Sequence, residues 1–74
     1  PPTLELTATA LGQGAFNLTG VARDNMAVSV IRIGGIPYTF APGPEVSFDL
    51  PNITPATRVI EVVDAAGNIL TREF

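Results

Sequence analysis

Apolar and polar residues alternate along most of the chain, a pattern that predicts β-strands rather than helices. The alternating segments are short, and seven glycines and seven prolines separate them at intervals of about one strand length. Short strands with turns every eight to twelve residues are typical of an antiparallel sandwich of two sheets. We therefore predict an all-β fold of about seven strands, at residues 4–8, 16–22, 28–33, 36–40, 46–50, 59–63 and 69–74.

Glycine and proline also predict how two strands meet. Gly34-Gly35 indicates a tight hairpin, because both residues adopt positive φ without steric cost. Pro37 has no amide hydrogen to donate to a ladder, so the strand that contains it is expected at a sheet edge.

Two irregularities interrupt the alternation. The apolar positions within 28–33 depart from a strict period of two, which predicts a bulge near Ser29-Val30. Residues 23–26 carry no alternation and are predicted to form a loop between two strands.

The segment after Pro51 admits either a helix or a strand. Thr54-Pro55 resembles a helix start and Gly67 a helix end. Four of the five residues in 59–63 are β-branched, however, and this favours a strand. The uninterrupted apolar face then assigns Ile60 and Val62 to the core.

The opposite face of that strand is a candidate interface. Val59, Glu61 and Val63 are expected to point outward, and Tyr38 lies on the predicted edge hairpin. Exposed valines are common and usually carry no function. The alternative is contact with a neighbouring domain or with another copy of the chain. For Tyr38, a carbohydrate-binding platform competes with packing at the rim of a core that Phe16, Phe40 and Phe48 fill.

Composition excludes several kinds of chemistry. The chain has no Cys, His, Lys or Trp, and its net charge is −3. Disulfides, thiolate metal sites, histidine-based triads and Schiff bases are therefore excluded. The four scattered arginines form no surface for nucleic-acid phosphates. Glu45 and Asp49 are a candidate carboxylate pair, but so small a domain offers no cleft around them. We expect no enzyme activity and no cofactor.

The length of 74 residues allows one domain. Apolar runs are far shorter than the ~20 residues of a membrane span, so direct membrane insertion is not expected. Pro1-Pro2-Thr3 reads as the end of an interdomain linker. The chain is thus predicted to be a single module, 1–74, of a larger protein.

Two motifs carry a family resemblance. Residues 20–28, Gly-Val-Ala-Arg-Asp-Asn-Met-Ala-Val, resemble the G-x-A-x-D-N-x-x-V stretch of bacterial immunoglobulin-like domains. Residues 64–68, Asp-Ala-Ala-Gly-Asn, match the turn before the last strand of those domains. The resemblance implies an immunoglobulin-like sandwich from a secreted or cell-surface bacterial protein. Arg58 departs from the resemblance, since such domains often have an apolar residue early in the strand before the last one.

In such a sandwich the loops that carry the two motifs share one pole. Asp24, Asn25, Asp64 and Asn68 would then offer oxygen ligands for calcium. The alternative is that these short side chains hydrogen-bond nearby loop amides. Calcium takes six to eight oxygens, usually with several carboxylates, and only two carboxylates lie here. This favours the structural role.

The resemblance implies a non-catalytic spacer or interaction module of an extracellular bacterial protein. Its expected partners are neighbouring modules of the same chain and a protein or polysaccharide at the cell surface, as in adhesin stalks. The alternatives are an accessory module that binds carbohydrate, a junction that calcium rigidifies, and a surface subunit that self-assembles through edge strands.

Overall fold

Antiparallel strands make up the fold, which a computed structural model describes over all residues, Pro1–Phe74. The strands are β1 (Thr3–Gly12), β2 (Ala15–Ile33), β3 (Ile36–Tyr38), β4 (Gly43–Ile53), β5 (Val59–Asp64) and β6 (Ile69–Glu73). No helix long and apolar enough to cross a membrane is present. The all-β prediction is confirmed, including the choice of strand over helix after Pro55.

The 19-residue strand β2 organises the sheet. Its first half, from Phe16 to Arg23, pairs with β1 on one side and β4 on the other. Its second half, from Val28 to Ile33, pairs with β5 and β3, and β6 lies outside β5. All six strands therefore belong to one curled antiparallel sheet with the shape of a half-barrel.

The prediction of a loop at 23–26 is wrong, and the strands number six because two predicted strands are one. Arg23 is held between Glu5 of β1, at 2.9 Å, and Glu45 of β4, at 3.3 Å. The backbone stays extended through Met26, whose amide donates to Asp24 Oδ2. Residues 24–27 have no ladder partner: the pairing with β1 reaches Arg23, the pairing with β4 is interrupted between Arg23 and Val28, and the pairing with β5 begins at Val28.

β4 continues past Pro51, where the prediction ended it. Leu50 pairs with Leu18 and Ile53 with Phe16, so two residues of β4 lie opposite one residue of β2. This is the count of a β-bulge, and it accommodates a residue that cannot donate to the ladder. Asn52 in the bulge has a φ of 54°.

The hairpin and the second bulge follow the prediction. Gly34 and Gly35 have φ values of 59° and 81°, as the tight turn between β2 and β3 requires. β3 pairs with β2 alone, which confirms that Pro37 lies on an edge strand. The register between β2 and β5 shifts between Val28 and Val30, which places the bulge at Ser29.

One core fills the concave side of the curled sheet. Ile60 and Val62 are fully buried, as predicted, and Phe16 and Phe48 are buried, whereas Phe40 is half-buried. Both halves of β2 contribute to the same cluster. Its buried members are Leu4, Phe16, Leu18, Ala22, Val28, Ile31, Ile33, Val46, Phe48, Ile60 and Val62.

Gly20 lets β1, β2 and β4 close tightly. It pairs with Leu6 on one side and Phe48 on the other. A Cβ at this position would lie 2.5 Å from the Glu5 carbonyl oxygen and 2.7 Å from Cζ of Phe48. The aromatic ring therefore occupies the space that any larger residue would need.

Candidate functional site

Two buried carboxylates meet at one end of the molecule. Asp24 lies in the irregular part of β2, and Asp64 is the last residue of β5; only 7% and 3% of their surfaces are exposed. The α-amino nitrogen of Pro1 lies 3.5 Å from Asp24 Oδ1 and 3.9 Å from Asp64 Oδ2. The structure thus brings the acids of both motifs to one position, which we call the acidic pole.

Asp64 is saturated with hydrogen bonds from its own turn. Its Oδ1 accepts from the amides of Ala66 and Asn68, at 3.0 and 2.8 Å, and its Oδ2 accepts from Nδ2 of Asn68 at 2.9 Å. The Asn68 side chain lowers the pKa of Asp64 most, burial opposes it, and the two amides and the charge on Pro1 add to the lowering. Gly67, with a φ of 88°, closes the turn.

The turn is also fastened to β2. The amide of Ala65 donates to the Ala27 carbonyl at 2.9 Å. The Ser29 hydroxyl lies 3.1 Å from both the Val63 and the Asp64 carbonyl oxygens. The sequence indicated this contact only indirectly, because Ser29 is a polar residue within a predicted bulge. The Asp64 carboxylate is therefore a structural anchor of the turn.

Asp24 differs from Asp64. Its Oδ2 accepts one bond, from the Met26 amide at 3.0 Å. Its Oδ1 has no hydrogen-bond partner, and the side chain is only 1% exposed, so water does not replace the missing donor. A buried ionised carboxylate requires hydrogen bonds or an opposite charge, and the Pro1 nitrogen is the positive group beside it.

The four predicted calcium ligands do not converge as a set. Asn25 is exposed and makes no side-chain hydrogen bond, and Asn68 presents an amide donor to Asp64. No third His, Cys, Asp or Glu joins Asp24 and Asp64. Apart from the two carboxylates, the polar groups at the acidic pole mainly donate hydrogen bonds to Asp64.

The predicted interface residues separate onto two faces. Residues directly opposite each other on paired strands share a face. Glu61 and Val63 alternate with the buried Ile60 and Val62, so they lie on the outer face, as does Val59. Tyr38 pairs with the fully buried Ile31 and so belongs to the inner face.

Tyr38 is half-buried in an aromatic cluster. Its ring stacks on Phe40, with centroids 6.0 Å apart and planes 17° apart, and lies 6.4 Å from Phe48. It also lines an open apolar groove of about 270 Å³ with Ile33 and Leu50. The ring is therefore engaged with its neighbours and does not stand free as a flat platform.

The candidate carboxylate pair lies on the exposed side of β4. Glu45 accepts from Arg23, and Asp49 lies opposite Thr19.

Sequence reasoning missed the contacts of two other arginines. Arg72 donates to the Leu4 carbonyl at 2.8 Å, and the Arg58 guanidinium lies 4.9 Å from the centroid of the Phe16 ring. In the alternation of β6, Arg72 falls on the same face as Leu70 and Phe74. This pattern could have predicted that Arg72 points toward the core side of the sheet.

No family model, curated protein or solved structure matches this chain. The likeness to bacterial immunoglobulin-like domains therefore rests on the motifs at 20–28 and 64–68 alone.

Proposed function

We propose that the chain is an immunoglobulin-like β-sandwich module that serves as a non-catalytic spacer or interaction unit in a larger extracellular bacterial protein. The observation that carries this proposal is the sharing of β2. In a two-sheet sandwich, one strand can pass from the first sheet to the second through a bend or bulge. β2 has β1 and β4 as neighbours before its irregular segment and β3 and β5 after it.

The two motifs support the same proposal. Asp64 anchors the turn before the last strand, and Asp24 lies where β2 changes partners. Both acids stabilise one end of the molecule, the end at which strands of the two halves meet. Such a role suits a domain that must keep its shape without disulfides.

The shape supports a spacer. The molecule measures 37 × 18 × 17 Å, so it is about twice as long as it is wide. The exposed carboxylates Glu45 and Asp49 lie on an open strand face, which supports a non-catalytic role. The engaged ring of Tyr38 favours the spacer over a carbohydrate-binding module.

Force spectroscopy of a tandem repeat of the chain tests the spacer role. Each copy should unfold in one step that lengthens the chain by roughly 220 Å, given 74 residues at ~3.5 Å each and a folded length of 37 Å. A repeat that carries Phe48→Ala is the control, and it should unfold at lower force with the same step. Gradual extension without steps, or release of reducing sugar from polysaccharides, would contradict the proposal.

A second candidate function is a cation-stabilised junction at the acidic pole. The buried, unpartnered Oδ1 of Asp24 favours it, because this oxygen and Asp64 face the same position. A divalent cation such as calcium would supply the positive charge that the Pro1 nitrogen supplies in this chain.

Thermal melting of the chain acetylated at Pro1 tests this candidate, since acetylation removes the amino charge. The melting midpoint should fall on acetylation, rise in millimolar calcium and fall again in EDTA. Asp24→Asn in the acetylated chain is the control and should not respond to calcium. Equal midpoints in calcium and EDTA would eliminate the cation site.

A further inference from the structure

We propose that the outer face of β3, β2, β5 and β6 binds the same face of a second copy of the chain. This surface, called here the outer apolar face, has Val30, Arg32, Val59, Glu61, Val63 and Ile69 at its centre. Pro37 of β3 and Thr71 and Glu73 of β6 lie at its edges. The inference goes beyond the spacer role, and the spacer can hold whether or not copies associate.

Cross-strand pairing makes this surface continuous. Val30 of β2 lies opposite Val63 of β5, which lies opposite Ile69 of β6. Both valines are half-buried, and Ile69 is 59% exposed. Three apolar side chains thus form one row across three strands. The row next to it contains Arg32 and Glu61, which lie directly opposite each other.

The two charges are not used within the chain. Arg32 and Glu61 form no ion pair, whereas Arg23 on the first half of β2 binds both Glu5 and Glu45. A positive and a negative group therefore lie side by side next to the apolar row, while Thr71 and Glu73 lie on the β6 edge of the same face. A partner for this surface needs apolar side chains and the same two charges in reversed positions.

A second copy satisfies this requirement under one symmetry operation. A two-fold axis parallel to the strands, midway between β2 and β5, exchanges the positions of the two strands. Arg32 then faces Glu61 of the second copy, and Val30 faces Val63 of the second copy. An axis perpendicular to the strands and passing through this row would instead set Arg32 against Arg32, and like charges across an interface are strongly unfavourable.

The area indicates a weak dimer. Four strands spaced by about 4.8 Å and five residues at about 3.4 Å give a face of roughly 19 by 17 Å. Two such faces together bury about 650 Å², which is below the ~1,000 Å² of a stable specific interface. Association should therefore require high protein concentration and should strengthen at low salt.

Sedimentation equilibrium of charge-reversed variants tests the proposal. The wild-type mass should rise above 7.7 kDa with concentration, toward that of a dimer. Arg32→Glu alone and Glu61→Arg alone should each weaken association by at least ~10-fold, because each sets like charges against each other across the interface. An equimolar mixture of the two variants should restore association, since the two acids of one variant face the two bases of the other.

Thr7→Glu is the matched control, because it adds a charge to the outer face of the other half of the sheet. It should associate like the wild type, and circular dichroism of each variant reports that it is folded. Three results would overturn the proposal. They are a 7.7 kDa mass at millimolar protein, single variants that associate like the wild type, and a mixture of folded variants that stays monomeric.

Discussion

The two halves of β2 have similar inner faces and different outer faces. In both halves the inner side chains are buried and apolar, such as Leu18 in the first and Ile31 in the second. On the outer face of the first half, Thr19 lies between Thr7 and Asp49. On the outer face of the second half, Val63 lies between Val30 and Ile69. The inner faces of the two halves are therefore alike, whereas the outer faces differ in polarity.

Charges differ between the halves in the same way. Arg23 in the first half is neutralised by two glutamates of its own chain, one on each neighbouring strand. Arg32 in the second half lies opposite Glu61 without binding it. Arg23 therefore has both of its partners within the monomer, whereas Arg32 and Glu61 remain unpaired.

The largest expected effects come from residues of the shared core. Phe48→Ala in the first half should cost about 3–5 kcal/mol of unfolding free energy, and Ile60→Ala in the second half about 2–5 kcal/mol, because each leaves a cavity. Urea denaturation measures both. A loss below 1 kcal/mol for either variant would mean that its half contributes little to the common core.

A smaller effect is specific to the first half. Gly20→Ala should cost about 1–3 kcal/mol, because the added Cβ meets the Glu5 carbonyl and the Phe48 ring. Gly43→Ala is the control, since nothing lies within 4 Å of a Cβ there and it should be nearly neutral. Equal stability of the two variants would show that β1 and β4 do not close on Gly20.

The acidic pole should respond to pH. The pKa of Asp64 is lowered in the folded chain, so its contribution is present above the unfolded pKa and is lost as pH falls through the folded value. Asp64→Asn should lower the melting midpoint at pH 7, and the gap to the wild type should narrow below about pH 4. The exposed Asp49→Asn is the control. A gap that is constant from pH 7 to pH 2 would contradict the anchor role.

The smallest effects on monomer stability concern the two outer faces. Thr7→Val and Ile69→Thr should each change the unfolding free energy by no more than ~0.5 kcal/mol, because neither side chain is buried. Their effects on association should differ, since only Ile69→Thr removes part of the apolar row. Denaturation at low concentration separates stability from association. Equal association of both variants would mean that the outer faces are equivalent.

Local sequence patterns predicted much of the fold. The parity of Ile60 and Val62, the hairpin at Gly34 and the bulge at Ser29 were all predictable, because each depends on a few adjacent residues. The turn at Asp64 was predictable as well, since its donors lie within four positions.

Features that depend on distant partners were not predictable. Arg23 lies in the sheet between Thr3 of β1 and Glu45 of β4, which are 20 and 22 positions away from it in sequence. The unpartnered oxygen of Asp24 depends on burial by other strands. The row from Val30 to Ile69 appears only once the register of three strands is known.

A dilution series observed by NMR tests the central claim most directly. Amide and methyl signals of the isotopically labelled chain would be followed from micromolar to millimolar concentration. We predict shifts at Val30, Arg32, Glu61, Val63 and Ile69, with unchanged signals at Thr7, Thr19 and Ser47 on the other outer face. Spectra without change at any concentration, or shifts centred on the first half of β2, would contradict the account.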